Sequence, residues 1–396
     1  MTSNSRKGKS IGRRVNEWLH LWLGLISGLM VFFVCLSGVL FVFHDEVNNF
    51  INRDARFVTV PEHPVRVSPD TILANLRRQY PTVRTNLYTA YADPRKAVKI
   101  MCSTPNPNQP MLGLGSAYAN PYTGEILKID NTYGIFRLLA AFHMNLLLGN
   151  VGSQLVRIAT ITFLIELISG FIWWWPTKWN KSTRDKSFKV KWNAKWKRLN
   201  IDLHNVLGFY SLPLAMVLTV TALILCYKPV KDFFFWTFGH KGTDKTVFQA
   251  LPQADSTKNA LSLDQLLQGY QSELGIYAQL SIGVPNPRSG AVMLRMEHES
   301  SMVTYRGKQL YLDIYTGKKL ESLPLEAIRE AKMMNTNIAL HIGTWYGLPV
   351  KIITFVVCLI CTSLPITGFL IWYNRKFKKK KGTTRRKPTL ETIGTA

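Results

Sequence analysis

Acidic residues and cysteines are scarce in this sequence. Against 49 Lys and Arg stand 24 Asp and Glu, and the 396 residues include five cysteines. Cys35, Cys226, Cys358 and Cys361 fall in apolar stretches and Cys102 stands by itself in a polar one, so no disulfide framework supports the fold. Cys358 and Cys361 are spaced like a CxxC pair, but within an apolar run they read as small packing residues. The polar segments contain no Gly-rich phosphate loop, nucleophile elbow or HExxH pattern, which excludes the chemistries those motifs carry. The basic segments are too short for a βαβ nucleotide-binding unit of about 30 residues.

Long apolar runs, by contrast, are abundant. Leu19–Phe43, Leu155–Trp175, Val206–Tyr227 and Leu348–Tyr373 each approach or exceed the roughly 20 residues that cross a bilayer core as helix. The first lacks a small-residue cleavage site and runs into His44-Asp45-Glu46, so it reads as a retained span rather than a signal peptide.

The excess positive charge is unevenly placed. Residues 1–19 carry five Lys/Arg, residues 176–203 nine, and the tail from Arg375 to Lys387 nine, against Glu17, Asp185, Asp202 and Glu391 alone. Residues 45–135 and 228–340 are nearly balanced. Basic residues flanking spans mark the cytoplasmic side, so both termini are expected inside and both balanced segments outside. Anionic lipid headgroups account for the charge without a nucleic-acid partner.

The halves repeat. Leu19-His20-Leu21-Trp22-Leu23-Gly24 opens the first span and Leu203-His204-Asn205-Val206-Leu207-Gly208 the third; Ser37 and Thr221 each follow the histidine by 17 residues. His143 and His341 each precede a glycine (Gly149, Gly347) by six residues and a Ser/Thr-Gly-Phe triplet (from Ser169 and Thr367) by 26. The balanced segments share Tyr122-Thr123-Gly124 and Tyr315-Thr316-Gly317, and a capped amphipathic helix is expected from Ser68 and again from Ser262. The expected fold is a bundle of four transmembrane helices with two external α+β domains, built as a tandem pseudo-repeat. The expected divisions are 1–18 (basic), 19–43, 44–134 (first external domain), 135–175 (edge helix and second span), 176–203 (basic loop), 204–227, 228–335 (second external domain), 336–373 (edge helix and fourth span) and 374–396 (basic tail).

Repetition singles out four of the eight histidines. His20 and His204 begin outward spans; His143 and His341 precede inward ones, with Gly149 and Gly347 expected to interrupt the helix beyond them. One pair therefore falls at each face of the bundle. Neutral imidazole is the commonest metal ligand, histidine holds haem iron axially, and helical bundles build cofactor sites between facing helices. Zinc fits less well, because no Cys, Asp or Glu completes a tetrahedral set. Gly24, Gly28, Gly38, Gly170 and Gly368 are expected to leave room for a porphyrin. Glu166, an ionisable group inside the second span, suits a proton or a quinol hydroxyl as well as a polar neighbour. Arg157 and Lys351, near the external ends of their spans, suit haem propionates or headgroups. Trp173–Trp175 read as an interfacial belt, Pro213 and Pro365 as kinks, and Met101, Met111, Met293, Met296 and Met302 as core rather than copper ligands.

These features resemble the PepSY-associated transmembrane family of bacterial inner-membrane proteins over roughly residues 12–375. WLHLWLGLISG, LHNVLG, the two YTG turns and ALHIGTWYGLP with its following TGFLIWY carry the resemblance. Ser37-Gly38 and Ser169-Gly170 stand where relatives often have Thr-Gly, and Thr221-Ala222 lacks the glycine. The resemblance implies external PepSY-like domains in the periplasm and two b-type haems, one on His20 and His204 and one on His143 and His341, with His44 as a spare ligand and Gly208 beside the inner site. It also implies an iron-uptake oxidoreductase that passes electrons across the membrane to a ferric siderophore, fed by a separate cytoplasmic reductase or by quinol. The alternative is a non-enzymatic membrane protein whose PepSY domains bind or regulate a periplasmic partner.

Overall fold

A computed structural model describes residues 10–103, 114–176, 178–239, 251–255, 257–273, 276–285, 289–298, 307–320 and 325–377. Met111, Met302, His240 and most of the two terminal basic segments lie outside these residues.

Four helices are long and apolar enough to cross a membrane. They are α1 (Ile11–Phe41), α6 (Gly149–Trp174), the composite Trp196–Cys226 and α13 (Leu348–Lys376). Their outer faces expose large aliphatics such as Ile26, Leu29, Ile158 and Ile353, as a lipid-facing surface requires. α1 packs against α6 and α13. The composite span consists of α8 (Trp196–Asp202), a π-turn (Leu203–Leu207) and α9 (Gly208–Cys226); α9 packs on α6 and α13. Pro213 and Pro365 lie inside α9 and α13.

Before α6 and before α13 the chain breaks sharply. Helix α5 (Thr132–Asn145) ends just beyond His143, where Leu146, Leu147 and Gly149 all take positive φ. A Cβ on Gly152 would overlap the Asn145 carbonyl, so the α5–α6 corner closes only on glycine. Helix α12 (Leu325–His341) likewise ends on its histidine, with Gly343 and Gly347 at positive φ before α13.

The extramembrane part is built on one antiparallel sheet. Its strands are β1 (Arg84–Tyr91), β2 (Val98–Ser103), β3 (Leu114–Ala119), β4 (Ile126–Asp130), β5 (Gln279–Gly283), β6 (Ala291–Glu297) and β7 (Gly307–Asp313), in the order β4-β3-β2-β1-β5-β6-β7. The two external segments are thus lobes of a continuous sheet rather than separate bodies. They join where β1 pairs with β5, with Thr89 opposite Ser281 and their hydroxyls 2.9 Å apart. One face of the sheet packs Ile100, Leu280, Ile282, Leu294, Met296 and Leu312 against Ile72, Leu73 and Leu76 of α4 (Pro69–Gln79) and Leu263, Leu266 and Leu267 of α11 (Leu263–Gln268).

Ser68 and Ser262 cap these two helices as expected, accepting from Thr71 N and Gln265 N. The second helix is shorter than its counterpart, because Gly269 stops it after Gln268. The helices meet end to end. The Asp70 carboxylate accepts from the backbone N–H groups of Leu263 (3.1 Å) and Asp264 (2.8 Å), and Ser68 Oγ donates to the Asp264 carboxylate. Burial alone would raise the Asp70 carboxyl, but the donors from Asp264 and Leu263 outweigh it and hold the group below its ordinary range. The Asp264 carboxyl is held above its ordinary range by burial and by the neighbouring Asp70 charge.

Candidate histidine pairs of the bundle

All four singled-out histidines sit in the same local setting. His20 of α1 places Nδ1 3.0 Å from Ser169 Oγ on α6, and that hydroxyl donates to the Glu166 carbonyl. His204, in the π-turn, places Nδ1 2.8 Å from Thr367 Oγ1 on α13, whose hydroxyl donates to Ser363 or Leu364. His143 of α5 sets Nδ1 2.9 Å from the Val34 carbonyl and 3.1 Å from Ser37 Oγ of α1. His341 of α12 does the same with the Leu218 carbonyl (3.0 Å) and Thr221 Oγ1 (3.1 Å) of α9.

A carbonyl oxygen only accepts, and a hydroxyl already donating to a carbonyl is left with its acceptor side. Each Nδ1 therefore carries the hydrogen, and each Nε2 keeps a lone pair. Among the described residues none of these Nε2 atoms has a hydrogen-bond partner. Fixing one ring nitrogen as a donor in this way orients an imidazole whose other nitrogen ligates a metal. The π-turn at His204 is the kind of helix irregularity found at functional sites.

The glycines of the Ser/Thr-Gly pairs serve the histidines directly. A Cβ on Gly170 would lie 3.0 Å from His20 Cε1, one on Gly368 3.3 Å from His204 Cε1, and one on Gly38 3.5 Å from His143 Cε1. These three glycines leave room for the imidazole rings, and Gly170 and Gly368 also line the cavity around His20 and His204. Ala222, at the fourth position, still allows His341 to reach Thr221.

A second anchor was missed in the sequence. Asn16 Nδ2 donates to the Ser169 carbonyl (2.9 Å), Asn200 Nδ2 to that of Thr367 (3.0 Å) and Asn337 Nδ2 to that of Thr221 (3.1 Å). Each asparagine precedes its histidine by one helical turn, so both side chains grip the same hydroxyl residue on the facing helix. The signal was present as NEWLH, NIDLH and NIALH; the place before His143 holds Leu139 instead.

The histidines come together in pairs. The rings of His20 and His204 are 6.5 Å apart, centre to centre, and those of His143 and His341 are 6.2 Å apart. Along α1 the two pairs are separated by the 17 residues from His20 to Ser37, about 25 Å of helix. Around His20 and His204 lies a cavity of about 380 Å³. Gly24 and Gly208 line it, as do the apolar side chains of Leu21, Leu25, Phe163 and Leu212. Glu166 also lines it and accepts from Ser27 Oγ at 2.7 Å.

Other candidates fall elsewhere. His44 stacks on Phe41, places Nδ1 3.0 Å from the Phe41 carbonyl and Nε2 3.3 Å from Asp45, so both its nitrogens are engaged and it is no spare ligand. Lys351 is buried against Glu46 (2.9 Å) and Asp45 (3.7 Å); these carboxylates, rather than a propionate or a headgroup, meet its charge. Arg157 has a buried Nε without a hydrogen-bond partner. The tryptophan run is only partly an outer belt. Trp173 meets His20 edge-on and Trp174 stacks on Phe209 at 3.9 Å, both lining the cavity, while Trp175 is half exposed. Cys361 packs with Leu167, Ala215 and Val357 in the bundle interior.

A family model, that of the PepSY-associated TM region, matches residues 17–375 of this chain. No curated protein matches it.

Proposed function

We propose that this chain, which belongs to the PepSY-associated TM region family, is a di-haem b-type oxidoreductase. On this reading it carries electrons across a bacterial inner membrane to ferric siderophores in the periplasm. The observation that carries the reading is the spacing of the histidine pairs. Two imidazoles ligating one iron from opposite sides, with metal–nitrogen bonds of about 2 Å, hold their ring centres about 6 Å apart. The separations of 6.5 and 6.2 Å fit that arrangement with every Nε2 available.

The remaining donor chemistry fits as well. His20 and His204 would hold the inner haem, with Gly24 and Gly208 leaving its cavity open. His143 and His341 would hold the outer one, with the unpartnered Arg157 Nε available to a carboxylate. Among the described residues no group of three or more His, Cys, Asp or Glu gathers as a metal cage, so the donor set suits a macrocyclic metal. Bis-histidine haem supplies one-electron chemistry with no open iron position, which suits transfer rather than substrate binding. The about 25 Å between the pairs compares with a hydrocarbon core of about 30 Å.

With the basic segments inside, the sheet faces the periplasm as two PepSY-like lobes of a tandem repeat. One electron reaching a ferric chelate there gives Fe(II), which hard oxygen donors hold less tightly, and iron is released. Electrons enter from a cytoplasmic reductase or from quinol, whose hydroxyl would donate a hydrogen bond to the Glu166 carboxylate. The test is to reduce the purified protein anaerobically with limiting dithionite and add a ferric hydroxamate. Haem reoxidation matched by one Fe(II) per electron, trapped by a ferrous chelator, supports the reductase. Haem that stays reduced with every ferric chelate tried overturns it.

A further inference from the structure

The loop between the second and third spans is folded as a cap on the inner cavity. Within it, α7 (Lys181–Phe188) is tied down at its end: Trp174 Nε1 donates to the Ser187 carbonyl (3.1 Å), and Phe188 meets both Trp174 and Phe209 edge-on at 5.2 Å. Farther on, the Lys191 N–H donates to the Asp202 carboxylate (3.3 Å), which Arg198 also meets at 2.6 Å. The cap delivers Lys186 to the cavity wall, α8 at the start of the third span brings Arg198, and α13 brings Arg375.

The charge of this wall is not cancelled. Its two acids are Glu166 and Asp202. Glu166 is held by Ser27, and Asp202 is fully buried and committed to Arg198 and the Lys191 N–H. Lys186 and Arg375 make no ion pair or hydrogen bond among the described residues. A cavity with apolar walls and free cations arriving from two different elements fits a flat apolar ligand with carboxylates on one edge. Arginine and lysine are the side chains that hold such carboxylates by charge-assisted hydrogen bonds.

We infer that Lys186 and Arg375 bind the two propionates of the inner haem, with Arg198 locked beside them by Asp202, so that the basic cap fixes which way the macrocycle faces. The inference rests on the haem reading above. It places the carboxylate edge at the basic end of the bundle and turns the apolar edge toward the second histidine pair.

The test uses the full-length protein loaded with haem, the inner haem being identified as the one absent from His204→Ala. In the double variant Lys186→Ala/Arg375→Ala, the inner haem is expected to pass to an excess of apomyoglobin at least tenfold faster than in the parent. The outer haem keeps its rate and so reports on folding. The conservative pair Lys186→Arg/Arg375→Lys is expected to restore retention. Haem with methyl-esterified propionates is expected to bind the parent's inner site more weakly, with no such discrimination left in the alanine variant. A lipid phosphate as the true ligand would leave ester and acid equivalent in the parent, which overturns the inference. Unchanged inner-haem release, or equal acceleration of both haems, also overturns it while leaving two haems per chain intact. A chain that binds no haem overturns the underlying reading instead.

Discussion

His204 takes its orientation from one helix and its partner from another: Nδ1 lies 2.8 Å from Thr367 Oγ1 on the fourth span, while its ring faces His20 of the first span 6.5 Å away. His20 is anchored in turn to Ser169 on the second span, 3.0 Å distant. All four spans therefore meet at one pair of imidazoles. The hydroxyls fix the orientation of both rings.

Removing that anchorage should loosen only the inner site. Outer-shell partners of metal-bound histidine are typically worth 10–100-fold in affinity. Ser169→Ala and Thr367→Val are each expected to weaken inner-haem retention by about that factor. Haem-release kinetics should show one haem affected and the other unchanged; equal effects at both sites would refute the assignment.

Alanine at the glycines should act in a graded order. The new Cβ would sit 3.0 Å from the ring at Gly170, 3.3 Å at Gly368 and 3.5 Å at Gly38. Gly170→Ala should therefore disturb the inner haem most, Gly368→Ala less, and Gly38→Ala should leave the outer haem bound. Ala222 stands at the matching place beside His341, whose Nδ1 still lies 3.1 Å from Thr221 Oγ1. Low-temperature spectra of the oxidised haems, which report imidazole orientation, check the order.

Lys351 should prove structural. With its side chain 7% exposed and Glu46 2.9 Å away, truncation leaves carboxylates without their cation. Breaking a buried ion pair costs roughly 3–5 kcal/mol, and the half-exposed acids place this one at or below the low end, about 1–3 kcal/mol. Lys351→Ala should thus lower the thermal midpoint in detergent yet keep both haems. Selective loss of the outer haem would return the lysine to a propionate.

The joint between the sheet lobes offers a contrast of sign. Asp70→Ala removes the acceptor for two N–H groups of α11 and is expected to cost about 1–2 kcal/mol. Asp264→Asn should be neutral or stabilising above the ordinary carboxylate range. The folded Asp264 carboxyl is raised by burial and by Asp70, so the neutral form is favoured on folding. That contribution is complete below the unfolded value and is lost as pH rises through the raised one. Denaturant titrations of parent and variant across mildly acid pH check whether the asparagine removes the loss.

The four spans and the histidine register were legible because each rests on local pattern: apolar length, and spacings repeated in both halves. The β1–β5 seam was not, since pairing Thr89 with Ser281 depends on register between strands nearly half the chain apart. The asparagines were visible as spacings but carried no meaning until the facing carbonyls were known. The glycines were legible as space, but that a missing Cβ also admits the histidine ring itself shows only once the facing helices are placed. The partners of Lys351, Glu46 and Asp45, lie about 300 residues away in the sequence, and spacing does not show that the His44 ring is already engaged by its neighbours Phe41 and Asp45. The basic loop read as a headgroup contact; its folding into a cavity wall shows only in the contacts of Ser187 and Phe188 with Trp174 and Phe209.

The most direct test of the central claim is a haem count by pyridine haemochrome on the detergent-purified chain, with reduced-minus-oxidised spectra, in the parent and in His204→Ala. The account predicts two b-type haems per chain in the parent and one in the variant, with a sharp α-band in both. A parent that remains colourless after reconstitution with haem, or a variant that loses both haems or neither, would contradict it.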